Sequence, residues 1–227
     1  MSHADAETLG RLHHLIIKSL VERGHPPVVD ELSRELATDA APWLDRLVAE
    51  HGVVLHPGTH EIWIAHPFSA SPTAVWIDRG DRGWWAPCLW CALGIATLAA
   101  PRATIHTRFA GESEPAVLAL ADGTITPSVL VHFAYPARDA WRNVVHWCAS
   151  VLPFRDRDQV VAWSTRHAIP HGDVVPIDRV MALARVWYGG HLDPAWRKWT
   201  GEEAKQIFAG VGLTGAHWAL PSSGERF

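Results

Sequence analysis

The first 65 residues carry an ordered series of hydrophobic patterns. Apolar residues recur at helical spacing in residues 8–23, 28–39 and 39–52, with Asp30 as the expected cap of the second helix. Two short apolar runs at residues 53–55 and 61–65 follow around a Pro-Gly turn and predict a β-hairpin. Because three helices followed by a hairpin are typical of a winged helix, we predict a winged-helix-like module over residues 1–74.

A winged helix raises the question of DNA binding, and the charge of this segment argues against it. In residues 1–65 the acidic residues outnumber the five lysines and arginines. A duplex-binding module needs cationic side chains to replace the counterions of the phosphates. We therefore expect a structural or partner-facing role for this module, and no nucleic-acid partner.

The rest of the chain mixes strand and helix patterns. After the connector HPFSASPT at residues 66–73, strands are predicted at 103–109, 116–123 and 127–136, and helices at 88–100, 156–167 and 177–192. Thr200, followed by Glu203 three residues later, has the pattern of a capping box and predicts a last helix. The expected fold class is α+β, with a second domain of mixed sheet and helices over residues 75–227.

Composition and the absence of long apolar stretches indicate the cellular compartment of the protein. At 227 residues, with 48% hydrophobic and 19% charged, the chain has an ordinary globular composition. Its longest apolar stretch, residues 88–100, is too short to span a bilayer, and its N-terminus lacks the pattern of a secretory signal. We therefore expect a cytoplasmic protein with no membrane partner. In that reducing compartment three cysteines, an odd number, argue for free thiols.

Two of the cysteines lie in the segment WWAPCLWCALG, residues 84–94. Pro87 suits a helix start, which would place Cys88 in the first turn, where free N–H groups and the helix dipole stabilise a thiolate. Cys91 would project from the same face. The pattern alone leaves four interpretations open: a redox pair, half of a zinc site, simple helix packing, or a thiolate site completed by Cys148.

The third cysteine, Cys148, lies in the segment VHWCASVLPF. Spacing alone does not bring it near the other two. If the segment is a strand, His146 and Cys148 share a face, and His146 could lower the thiol pKa or join a ligand set. Most of the other histidines, His66 among them, are interpreted as surface or packing residues.

These motifs resemble those of the organomercurial (alkylmercury) lyase family. WAPCLWCAL matches that family's pattern of an aromatic residue, Ala, any residue, Cys, two residues, Asp, any residue and Leu, with Cys88 on the first catalytic cysteine and Cys91 in the place of the Asp. WCASVLPF followed by AWSTRH resembles the region of the second catalytic cysteine and aligns Cys148 with it. A second register would put Cys91 on the first cysteine and Gly94 on the Asp. We prefer the Cys88 register because it keeps the aromatic–Ala pair and Leu93.

The resemblance implies an activity and a site. Two thiolates would bind the mercury of an organomercurial, and a third group would protonate its carbon as the bond breaks. The expected catalytic residues are Cys88, Cys91 and Cys148, and the same sulfurs would hold substrate mercury or another soft ion, with His146 as a further candidate ligand. No cofactor is required, and the expected partner is a small apolar organometallic or organic substrate.

Because Cys91 stands in place of a carboxylate, the sequence leaves open which reaction the site performs. An unperturbed thiol has a pKa of about 8.5, against about 4 for Asp, so the two groups differ as proton donors. A three-cysteine lyase is the leading hypothesis. A soft-metal thiolate binder without cleavage is one alternative. Another is a repurposed enzyme in which Cys88 attacks a small specialised metabolite. The thirteen tryptophans would suit the walls of any of these pockets.

Overall fold

The computed structural model describes residues 3–221 and Arg226. The helices in this part of the chain are α1 (His3–Arg23), α2 (Val29–Leu36), α3 (Ala41–Ala49), α4 (Leu89–Leu98), α5 (Val144–Ala149), α6 (Arg157–His167), α7 (Ile177–Tyr188) and α8 (Gly201–Gly210). The strands are β1 (Val54–Leu55), β2 (Ile62–Ala65), β3 (Phe68–Ser69), β4 (Val75–Asp78), β5 (Gly83–Ala86), β6 (Arg102–Arg108), β7 (Pro115–Ala121), β8 (Thr124–Thr126), β9 (Leu130–Phe133), β10 (Val151–Phe154) and β11 (Asp173–Pro176). This mixture confirms the predicted α+β class.

The three N-terminal helices form where the hydrophobic pattern places them. Helix α1 begins five residues earlier than predicted, and α2 and α3 are shorter than their patterns. The predicted cap of α2, Asp30, is wrong. Val28 is the N-cap, and its amide donates to the Glu31 side chain at 3.2 Å. Glu31 can do this because a carboxylate at the third helical position reaches back to the free N-cap amide.

Eight strands form one antiparallel sheet in the order β1-β2-β3-β5-β4-β6-β7-β8. Strands β1 and β2 make the predicted hairpin, and β2 continues through β3 to β5, so the sheet crosses the predicted boundary at residue 74. One buried hydrophobic cluster extends from Leu9 to Leu220. The two-domain division and the winged-helix-like character of residues 1–74 stay predictions, and the ends of those domains at residues 1–2, 222–225 and 227 lie outside the described residues.

Helix α4 is the central element. It is apolar on every face, a pattern that indicates burial on all sides, and its residues 89–96 are all buried. It packs against β4 and β5 of the large sheet and against α7. Gly94 allows this close approach, because a Cβ there would lie 2.4 Å from the ring of Tyr188. The N-terminal end of α4 is therefore held firmly in the interior.

The remaining strands form a small antiparallel sheet in the order β10-β9-β11. The strand that was considered for His146 and Cys148 is not formed, because residues 144–149 are helix α5 and the strand β10 begins only at Val151. Pro87 is also displaced from its predicted place, since it precedes the N-cap Cys88 and so lies outside α4.

Two further expectations concern helices. The capping box is confirmed: Thr200 caps α8, and Thr200 and Glu203 satisfy each other's backbone amides. Among residues 3–221 no helix has both the length and the apolar character needed to cross a membrane.

Candidate functional site

Cys88 lies at the junction between β5 and α4. Its backbone is extended, with φ of −158°, and its Sγ accepts a hydrogen bond from the amide of Cys91 at 3.4 Å. Cys88 therefore takes the place that Ser, Thr, Asp or Asn usually occupies at a helix start. A thiolate at this position faces free amide groups and the positive end of the helix dipole, which stabilise negative charge on sulfur.

Cys91 follows within the first turn of α4 and is fully buried, with 0% of its surface exposed. Its Sγ lies 3.5 Å from the hydroxyl of Tyr188 on α7. Tyr188 reaches this position because Gly94 leaves space for its ring. The contact between α4 and α7 thus gives the buried Cys91 thiol a hydroxyl group as a neighbour.

Cys148 reaches the same place from α5. Asn143 caps this short helix by accepting from the amide of His146 at 3.0 Å, and Trp147 anchors it by donating from Nε1 to the carbonyl of Tyr135 at 3.1 Å. Cys148 Sγ lies 3.6 Å from Nε2 of His66. The sequence alone did not bring Cys148 near Cys88; in the structure the two side chains interact, and this interaction raises the pKa of Cys148.

The three thiols are electrostatically unequal. Burial acts to raise the pKa of Cys88, but hydrogen bonds from the side chains of Cys148 and Cys91 and from the Cys91 amide outweigh burial and hold that pKa well below its usual value. Burial raises the pKa of Cys91, and its contact with Cys88 adds to the rise. Hydrogen bonds to Cys88 and Cys91 raise the pKa of Cys148. The arrangement favours one thiolate, on Cys88, with two thiols that keep their protons.

His66 is the site residue that the sequence analysis missed. It lies in the turn between β2 and β3, and burial lowers its pKa to about 4, so it is neutral at pH 7. The ligand atoms of His66, Cys91 and Cys148 all lie within 4.8 Å of one another. The only signal in the sequence was its place at the start of the connector HPFSASPT, and that place indicated no chemical role.

His146 does not point toward the thiols. Two residues apart on a helix, side chains lie on nearly opposite faces, so Cys148 is buried while His146 is exposed. The His146 ring packs on Tyr135, with ring centres 5.0 Å apart. A ligand role for His146 therefore has no geometric support in this structure, and His66 holds the position that His146 was considered for.

A cavity of about 50 Å³ adjoins the site, and Cys148 and His66 are among its lining residues. This volume has room for a few water-sized groups. Five of its lining residues are tryptophans: Trp90, Trp147, Trp187, Trp196 and Trp199. Several of the thirteen tryptophans thus line a pocket while still packing in the core, since Trp90 also lies 5.4 Å from Trp187 and 5.9 Å from Trp147 between ring centres.

The polar residues of the cavity wall carry little charge. Burial lowers the pKa of Lys198 to about 7, and its ammonium group donates to the carbonyl of His51 at 3.1 Å. Burial lowers the pKa of His191 to about 3 and that of His13 well below its usual value. The wall is therefore suited to an apolar ligand group, and Lys198 is a lining side chain that titrates near neutral pH.

Comparisons with known proteins identify a family and a fold. The family model described as "MerB: Alkylmercury lyase" matches residues 68–189, more than half of the chain and a range that includes all three cysteines. Among solved structures, the mercury-bound form of MerB2 matches with a TM-score of 0.64 and 18% identity, covering 83% of this chain and 91% of that one. At this identity the match establishes the fold. No curated protein matches the chain.

Proposed function

Since the chain belongs to the alkylmercury lyase family, we propose that it cleaves the carbon–mercury bond of a small organomercurial at the thiols of Cys88, Cys91 and Cys148. The observation that carries the proposal is the buried cluster of three cysteines in which one sulfur favours the thiolate and two favour the thiol. Capture of a soft metal needs the thiolate, and protonolysis of its carbon needs a retained proton. The cluster supplies both.

The first step is capture of the metal. The organomercurial enters along the indole-lined cavity, where Cys148 forms part of the wall. The Cys88 thiolate displaces the ligand X from R–Hg–X and forms R–Hg–S. Soft thiolates prefer soft metals, and the lowered pKa of Cys88 favours its thiolate, so this step needs no separate base.

The second step breaks the carbon–mercury bond. Cys148 adds to mercury as a second thiolate and releases its proton to solvent, as thiols do when they bind a metal. The added electron density makes the carbon more basic. The Cys91 thiol then donates its proton to that carbon, the electrons of the carbon–mercury bond form the C–H bond, and the Cys91 sulfur becomes a third ligand. The products are R–H and Hg(II) held by thiolates.

Cys91 takes the role of the carboxyl group that the sequence resemblance led us to expect at this position. Its raised pKa keeps the proton on sulfur until mercury is bound. Once mercury withdraws charge from the neighbouring sulfurs, the cost of ionising Cys91 falls and the new thiolate is stabilised by the metal. The small cavity favours a short alkyl substituent, and its indole walls exclude water from the reacting carbon.

The test is direct detection of the hydrocarbon. The reduced full-length protein is incubated with methylmercury and an excess of a small thiol, and methane is measured in the headspace by gas chromatography. We expect catalytic methane release. Stoichiometric Hg(II) binding without methane would instead support the thiolate-binder alternative, and neither activity nor tight binding would support the repurposed enzyme.

Single substitutions assign the roles. Cys88→Ser should abolish capture, so neither methane nor protein-bound methylmercury forms. Cys91→Ser should retain bound methylmercury but release methane slowly, because a serine hydroxyl is a much weaker acid. Val161→Ala, at an exposed position of α6 away from the site, serves as the control and should leave the rate unchanged. Equal loss of capture in the Cys88 and Cys91 variants would contradict the division of roles.

A further inference from the structure

We propose that His66 completes, with Cys88, Cys91 and Cys148, a tetrahedral binding site for a free Zn(II) ion, with three sulfur ligands and one nitrogen ligand. The inference goes beyond the lyase reaction, because it concerns a metal ion that carries no carbon substituent. It also does not depend on that reaction. A chain that fails to cleave carbon–mercury bonds can still hold this ion.

The distances fit a zinc-sized ion. With Zn–S of about 2.3 Å and Zn–N of about 2.0–2.1 Å, the edge between sulfur and nitrogen in a tetrahedron is about 3.5 Å. The observed separation of Cys148 Sγ from His66 Nε2 is 3.6 Å. Cys91 Sγ lies within 4.8 Å of both atoms. Small rotations of the side chains would bring all three donors to bonding distance of one ion.

Cys88 would supply the fourth ligand. Its Sγ accepts from the Cys91 amide at 3.4 Å, which places it beside Cys91 at the N-terminal end of α4. It lies outside the group of donors within 4.8 Å of one another, so rotation of its side chain would have to bring it to the ion. Three cysteines and one histidine are a common ligand set of closed structural zinc sites. Binding would replace the two thiol protons, on Cys91 and Cys148, by bonds to the metal and release both protons to solvent.

The ligands are carried by rigid elements with supporting contacts. His66 is in the tight turn between β2 and β3, where Ala65 pairs with Phe68. The Cys91 amide donates to Cys88 Sγ at 3.4 Å, and the Tyr188 hydroxyl lies 3.5 Å from Cys91 Sγ. Such outer contacts orient ligands before the metal arrives. They would still leave the site open to mercury, because thiolates prefer the softer metal.

Zinc binding is measured on the reduced, metal-free full-length chain by competition with a chromogenic chelator and by X-ray absorption. We expect one Zn(II) per chain, with three sulfur neighbours at about 2.3 Å and one nitrogen neighbour at about 2.0–2.1 Å. His66→Ala should remove the nitrogen neighbour and weaken binding by about 100-fold or more, since loss of mere outer contacts already costs 10–100-fold. His66→Cys should bind tightly through four sulfurs, which separates loss of a ligand from loss of the fold.

Two histidine variants serve as controls. His146→Ala removes the histidine nearest to Cys148 in sequence, and His106→Ala removes an exposed histidine on β6. Both should bind Zn(II) as the wild type does. The inference is overturned if the wild type binds no stoichiometric Zn(II), if His66→Ala keeps wild-type affinity, or if His146→Ala loses the nitrogen neighbour. Because no organomercurial is present, these results do not depend on whether the chain is a lyase.

Discussion

Replacing Gly94 by alanine would test whether close packing of α4 against α7 positions the thiol site. Gly94 lies three residues after Cys91, in the interior of α4. An added Cβ would lie 2.4 Å and 2.8 Å from two ring carbons of Tyr188 and 2.9 Å from the Cβ of Pro67. The Tyr188 ring has little freedom to move aside, because ring centres of Trp90 and His191 lie 5.7 Å and 5.1 Å from it.

Two effects of this substitution oppose each other. Alanine is favoured over glycine in a helix interior by about 1 kcal/mol. Overpacking a buried site costs about 1–3 kcal/mol, and contacts this short against a buried ring place the cost in the upper half of that range. The net expectation is a loss of about 1–2 kcal/mol in the free energy of unfolding. For a chain of this length each kcal/mol lowers Tm by about 2–4 °C, so we expect Tm to fall by about 2–8 °C.

The assay is thermal unfolding followed by circular dichroism, together with the methane assay. Gly210→Ala is the matched control, since Gly210 is the last residue of α8 and an added Cβ there meets nothing within 4 Å. We expect the control to melt no lower than the wild type. The Gly94→Ala variant should also lose activity, because displaced Tyr188 and Pro67 adjoin Cys91 and His66. A Tm for Gly94→Ala at or above that of the wild type would refute the packing argument.

Three further predictions concern single side chains. Lys198→Met should flatten the pH dependence of stability. The pKa of Lys198 falls from 10.5 to about 7 on folding, so between those values the unfolded chain binds more protons and the stability of the wild type rises with pH. Urea unfolding at several pH values measures this slope, and an unchanged slope in the variant would contradict the prediction. Cys91→Asp should speed methane release, because a carboxyl group is a stronger acid than a thiol. It should also lower Tm, because the position is fully buried. No gain in the rate of methane release would count against aligning Cys91 with the family's Asp. Thr200→Ala should cost about 1 kcal/mol of stability through loss of the cap of α8, and an unaltered urea midpoint would show that the cap contributes nothing.

Local chemistry made much of the fold predictable. Thr200 and Glu203 identified the start of α8 because a capping box depends only on residues three apart. Alternating apolar residues likewise identified β7, in which Ala116, Leu118 and Leu120 are buried and Val117 is exposed. The start of α4 was placed slightly wrongly, because the sequence does not distinguish a proline inside a helix from one just before its cap.

The candidate site was predictable only in part. The i, i+3 spacing of Cys88 and Cys91 indicated two sulfurs at one helix end, and the structure has them there. His146 was considered for its closeness to Cys148 in sequence, and helix α5 turns it to solvent. His66, 82 residues from Cys148, contacts it instead. Side-chain direction depends on the local conformation, and the sequence left open whether residues 144–149 form a strand or a helix.

By itself the sequence determined where most of the helices and several of the strands form, and that Cys88 lies at a helix start where a thiolate is stabilised. These properties depend on residues within a turn or two of each other. Only the tertiary structure decided that α5 and the turn at His66 meet the end of α4, because that contact depends on how the two sheets and α7 pack around it. The unequal pKa values of the three thiols follow from the same packing, since they arise from contacts between sulfurs up to 60 residues apart.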